Sequence, residues 1–126
     1  MGTVMWIGAT FLLLVFVVKK MIPVKGINHI TADELQSYLI QRDKHFIDVR
    51  TPGEYKRGYI HGFKNIPLND LSSHMDELDK NKEVLVMCQS GMRSMKGASS
   101  LKKHGFLNVT NVKGGMTAWK GKVEKG

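Results

Sequence analysis

The chain is 126 residues long, with 19 lysines and arginines against 11 aspartates and glutamates, a formal net charge of +8. Once an uncharged N-terminal stretch is set aside, roughly a hundred residues remain, enough for one small core and too few for a second domain. One cysteine excludes an intramolecular disulfide framework and a cysteine-based zinc cage, and suits a compartment where a free thiol persists.

Met1 to Val18 carries no charged side chain and is almost wholly apolar. As a helix it would be about 27 Å long, close to a hydrocarbon core of about 30 Å, and it can span if Lys19 and Lys20 snorkel. A cleaved signal peptide is the competing reading, but no basic segment precedes the apolar run and no small-x-small site precedes the lysines. Residues 1–20 are therefore expected to be a single-pass anchor. Lys19, Lys20 and Lys25 precede the first acid, Asp33, which orients the rest of the chain toward the cytoplasm. Pro23 and Gly26 mark a short linker over 21–26.

Ile27 to Ile30 reads as a brief strand, and Thr31-Ala32-Asp33-Glu34 as a capping box that opens a helix through about Ile40. His45 to Val49 is a second strand. Thr51-Pro52-Gly53-Glu54 repeats the box with proline at the first helical position, and that helix stops near Gly58. A third strand ends at Asn65-Ile66-Pro67, and Leu71, Met75 and Leu78 recur at helical spacing, which predicts an amphipathic helix over 68–78.

The apolar run up to Met87 reads as the central strand, starting near Lys82, and residues from Ser94 to His104 as a helix closed by Gly105. Between them lies Cys88-Gln89-Ser90-Gly91-Met92-Arg93, a strand-to-helix turn. Such a turn aims backbone N–H groups and the positive end of a helix at its mouth, which favours a thiolate over a neutral thiol. Phe106 to Val112 completes the strands. Gly114-Gly115 turns into a helix with Met116, Ala118 and Trp119, the last a packing anchor, and Lys120 to Gly126 is expected to fray, with 121–126 a flexible tail. Strands alternating with helices predict an α/β fold, a mostly parallel sheet with helices on both faces, and Cys88 at a strand's carboxyl end.

Three ordered motifs carry a resemblance. Cys88-x-x-Gly91-x-Arg93-Ser94 after a hydrophobic strand resembles the active-site loop of single-domain rhodaneses, the thiosulfate-type sulfurtransferases. Upstream, Ile47-Asp48-Val49-Arg50 with Glu54-Tyr55, Gly58, Ile60-His61-Gly62 and Ile66-Pro67 matches that family's pattern; downstream, Asn108-Val109 with Gly114-Gly115 and Ala118-Trp119 does so too. The resemblance covers about Ile27 to Lys120. It implies a rhodanese-like domain with Cys88 as the catalytic nucleophile and Gln89, Ser90, Gly91, Met92 and Arg93 around the substrate.

A thiolate in such a cradle can take a sulfane sulfur as a persulfide, attack a phosphoryl group, or sense oxidants without turnover. Phosphatase chemistry would place the arginine one residue later, as C-x5-R, whereas this chain has C-x4-R. Nor does the loop offer a leaving-group acid, which sulfite, already an anion, does not need. Sulfur transfer is thus the expected work, with a thiol sensor or partner-binding module as the alternative. Asp48, Arg50 and Glu54 have the spacing of an ion-paired network beneath the loops; the resemblance implies a structural role, and acid–base work is the other reading. The partners expected are a small anionic sulfur donor, a thiol acceptor that can belong to a protein, and a membrane through the N-terminal helix. Five histidines without ligand spacing predict no metal, no cofactor is implied, and lysines dispersed among acids predict a solvated basic surface and no nucleic acid.

Overall fold

The computed structural model describes residues 26–126. The expected anchor and most of the linker, residues 1–25, lie outside the described residues. Among the described residues no helix is long and apolar enough to cross a membrane.

Among the described residues five strands, β1 (Ile27–Thr31), β2 (His45–Asp48), β3 (Lys64–Asn65), β4 (Val84–Met87) and β5 (Val109–Lys113), form one sheet in the order β1-β5-β4-β2-β3. All pairings are parallel. Every residue of β4 is fully buried, as a central parallel strand covered on both faces requires. Alternation divides it: Val84, Val86 and Cys88 meet one apolar cluster, Leu85 and Met87 the other. Helices α3 (Leu71–His74) and α4 (Met92–Lys103) supply Leu71, Ala98 and Leu101 to the first; α1 (Ala32–Tyr38) and α5 (Gly115–Ala118) pack Leu35 and Met116 on the second, where Trp119 also packs.

Helix α2 (Pro52–Arg57) follows β2, and both α1 and α2 begin in complete capping boxes, Thr31 with Glu34 and Thr51 with Glu54. Helix α4 ends in a Schellman closure: Gly105 at φ +91°, its N–H on the Lys102 carbonyl, and the Phe106 N–H on the Leu101 carbonyl.

Several sequence expectations are corrected. Helix α1 stops at Tyr38, and α4 starts at Met92, two residues before Ser94. The amphipathic segment 68–78 is not one helix but a 3₁₀ turn (Leu68–Asp70), the single turn α3, and a second 3₁₀ turn (Met75–Glu77). Its apolar spacing is still met, since Leu71, Met75 and Leu78 are all buried. Ser72 and Ser73 are weak helix formers, and the Ser73 hydroxyl bonds back to the Asp70 carbonyl. The last strand begins at Val109 because Phe106 is held in the α4 closure. The C-terminal residues do not simply fray: Glu124 exchanges two 2.8 Å backbone hydrogen bonds with Tyr59, and the Gly126 N–H reaches the Lys56 carbonyl.

Candidate active site

Cys88 follows the carboxyl end of β4, and the residue is 1% exposed. The turn that carries it depends on two glycines. Gly91 caps α4 at φ +110°, a conformation that side chains disfavour, and this places its N–H 3.0 Å from the Cys88 sulfur. Gly115 comes so close that a Cβ there would lie 2.0 Å from the Cys88 carbonyl oxygen. That approach lets the Met116 and Thr117 N–H groups donate to the carbonyls of Cys88 and Gln89, both at 3.0 Å, so α5 fixes the turn from below.

Two opposing influences act on the thiol. Burial pushes it up, but the Ser94 hydroxyl and the backbone N–H groups of Ser94, Gly91 and Ser90 together outweigh burial and hold it below its ordinary value. The Ser94 oxygen lies 3.4 Å from the sulfur. The single Ser94 hydrogen has two other acceptors within reach, the Gly91 carbonyl at 3.0 Å and the Asn111 Oδ1 at 2.5 Å.

The structure separates the residues that were grouped in sequence. Asp48 and Arg50 form a buried pair with the Arg50 Nη2 2.7 Å from the Asp48 Oδ2 and the Nε 3.0 Å from both carboxylate oxygens. The remaining Arg50 hydrogens reach the Gly58 and Glu54 carbonyls and the Gln89 Oε1. Glu54 thus joins that network through its backbone only. Its carboxylate instead takes a forked pair from Arg93, Nη1 to Oε1 at 2.6 Å and Nη2 to Oε2 at 2.8 Å. The Arg93 hydrogen bonds, reinforced against burial by Thr51, pull the Glu54 carboxyl down to about 2, and the same pair raises Arg93.

Arg93, expected at the thiolate and its substrate, therefore closes its fork on α2. Gln89 is tied back between Arg50 and Thr117, Ser90 is exposed, and Met92 stands out from the loop at 77% exposure. A cleft of about 400 Å³ opens beside the loop, lined by Arg50, Glu54, Arg57, Gly58, Gln89 and Met116. Among the described residues no cluster of acidic, histidine or cysteine side chains could hold a metal ion.

Sequence reading placed Ser94 in the loop motif but gave its hydroxyl no role, and it missed Thr117 and Asn111 as members of this site. Asn111 did carry a signal, since it is a polar amide inside a strand between Val109 and Val112 that is otherwise buried.

The fold is α/β, and its one thiol, hydrogen-bonded and held below its ordinary pKa, sits in the turn after the central parallel strand. The chain belongs to the rhodanese-like domain family, whose model matches residues 31–122. It is 40% identical over 83 residues to the Bacillus subtilis protein named "Uncharacterized protein YqhL", a match spanning 66% of each chain and so just under two thirds of that relative. A protein of Allochromatium vinosum named sulfurtransferase is 32% identical over 94 residues, covering 74% of this chain and 88% of that one. Among solved structures, a rhodanese-like domain protein from Staphylococcus aureus superposes with a TM-score of 0.71 at 34% identity, covering 79% of this chain and 98% of that one.

Proposed function

We propose that the chain is a sulfurtransferase that carries a sulfane sulfur on Cys88. The observation that carries this reading is the Cys88 sulfur itself, buried yet bonded to the Gly91 N–H at 3.0 Å and held below its ordinary pKa by the loop. A thiolate so placed attacks the outer sulfur of thiosulfate. The new S–S bond forms as the old one breaks, and sulfite leaves with the bonding pair. A thiophilic acceptor, cyanide in the assay tube or a thiol in the cell, then takes the outer sulfur and returns the thiolate. A persulfide donor can replace thiosulfate in the first step, with its thiolate as leaving group.

In this scheme the loop backbone from Gln89 to Arg93 wraps the persulfide, and the Gly91, Ser90 and Ser94 N–H groups carry its charge. Arg93 holds the loop against α2 through Glu54, and the Asp48–Arg50 pair supports it from below. The family relationship and relatives named as sulfurtransferases support the transfer of sulfur in general. The apolar run from Val4 to Val18 with Lys19 and Lys20 supports a cell-membrane anchor that leaves the domain on the cytoplasmic side.

Steady-state assay with thiosulfate and cyanide tests the reading. Parallel-line, ping-pong kinetics are expected, with no turnover in Cys88→Ser, because a hydroxyl without an adjacent base is too weak a nucleophile. Turnover surviving in Cys88→Ser, or a preference for aryl phosphates, would overturn it. Sedimentation of the full chain with membranes tests the anchor, and release into the soluble fraction would contradict it.

A further inference from the structure

The Ser94 hydroxyl has one hydrogen and three neighbours that can accept it. Cys88 lies at 3.4 Å, the Gly91 carbonyl at 3.0 Å and the Asn111 Oδ1 at 2.5 Å. The short contact to Asn111 claims the hydrogen as the amide stands. On its far side the Asn111 Nδ2 faces the His29 Nδ1 at 3.4 Å, so a chain of polar groups runs from the sulfur across β5 to the exposed His29 on β1. Ser94 and Asn111 are both buried.

That chain fits a neutral thiol. The S–H donates to the Ser94 oxygen, Ser94 donates to Asn111, and the Asn111 NH₂ donates to an unprotonated His29 Nδ1. A thiolate reverses the demand, because it accepts only and needs the Ser94 hydrogen for itself. Turning the Asn111 amide over by half a rotation meets that demand: its NH₂ then donates to the Ser94 oxygen and frees the hydroxyl hydrogen for sulfur. The Asn111 oxygen now faces His29, which supplies a hydrogen by shifting from the Nε2 to the Nδ1 tautomer through solvent, with no change in its charge.

We propose that Asn111 is a positioning residue for Cys88: its side-chain amide turns over as the sulfur loses its proton to solvent, handing the single Ser94 hydrogen from Asn111 to the sulfur. Every group in the chain keeps a partner in both states, so neither state leaves a buried polar atom stranded. The charged groups around the loop do not supply this exchange. Asp48 and Arg50 neutralise each other, as do Glu54 and Arg93. The proposal rests on the reading that Cys88 works as a thiolate, and it adds the residue that matches its surroundings to each protonation state.

The test follows the thiolate directly, through its ultraviolet absorbance as pH is raised; with a single cysteine, the difference from Cys88→Ala removes the tyrosinate background, and no sulfur donor is required. Asn111→Leu removes the amide at similar volume and is expected to raise the Cys88 midpoint by about half to one pKa unit, a roughly three- to tenfold smaller thiolate fraction below the midpoint. In a Ser94→Ala background the same replacement should add nothing, since Asn111 acts only through Ser94. An undiminished effect in that background, or no effect in the single variant, overturns the proposal. Nitrogen NMR of the unaltered full chain covers the case in which Asn111→Leu does not fold. The Asn111 side-chain amide signals should change with the same midpoint as the thiolate absorbance and stay still in Cys88→Ala; signals that do not follow the thiolate would overturn it. Loss of thiosulfate turnover with this titration intact would count against the sulfurtransferase reading alone.

Discussion

Two strand-to-helix turns lie side by side at the carboxyl end of the sheet, and they are filled in opposite ways. The turn after β2 closes on its own side chains: Asp48 takes Arg50, and the Thr51 hydroxyl and Glu54 carboxylate satisfy the first turn of α2. The turn after β4 has no side-chain cap; Gly91 leaves the first N–H groups of α4 open, and the Cys88 sulfur takes one of them. Strands β2 and β4 pair in register, Asp48 beside Met87, so the difference comes from residue choice and not from position in the fold. A helix start with Thr and Glu at capping spacing is self-sufficient, whereas one opened by glycine lends its donors to another group.

The largest expected effect on the closed turn is that of Arg50→Ala. It strands the buried Asp48 carboxylate, which costs about 3–5 kcal/mol, read as a large fall in melting temperature. Thiolate absorbance per folded molecule should change little. An unchanged melting temperature with lost turnover would move Arg50 from the closed turn into the chemistry.

Gly91→Ala and Thr51→Ala sharpen the contrast as a pair. An alanine at φ +110° costs about 1–2 kcal/mol and displaces the N–H that binds sulfur, so the Cys88 midpoint should rise and turnover should fall. Thr51→Ala removes one cap at about 1 kcal/mol and should leave the thiol midpoint where it was. Equal effects of the two on the thiol would erase the distinction between the turns.

The smallest effect is read most clearly in acid. Glu54, held down to about 2 by Arg93, binds fewer protons folded than unfolded. Its contribution is therefore fully present above the ordinary carboxylate range and is lost as pH falls toward about 2. Acid unfolding of the wild type should include this loss, and Glu54→Gln should lack it while melting lower near neutral pH. Identical acid profiles would show that the Glu54–Arg93 fork does not link the two turns.

These turns also show what a sequence discloses. Both capping boxes and the cysteine loop were legible because each is local: Thr51 and Glu54 are three residues apart, and Cys88 to Ser94 is one turn running into a helix. The pairings between turns were not legible. Glu54 meets Arg93 across 39 residues and Ser94 meets Asn111 across 17, and nothing in residue spacing says which of two arginines a carboxylate will take. Arg50 was already spent on Asp48, a fact that exists only after folding. The helix expected over 68–78 failed for a related reason, since its burial pattern is served equally by a chain of separate turns.

The central claim is that the open turn holds a sulfur that can be loaded and discharged, and mass analysis of the intact protein tests it most directly. Mixed with thiosulfate, the protein should gain the mass of one sulfur atom, located at Cys88, and return to its starting mass on addition of cyanide with one thiocyanate released per chain. No added sulfur, or added sulfur elsewhere in the chain, would contradict the account; a loaded Cys88 that neither cyanide nor a thiol can discharge would contradict transfer and point to a sensor.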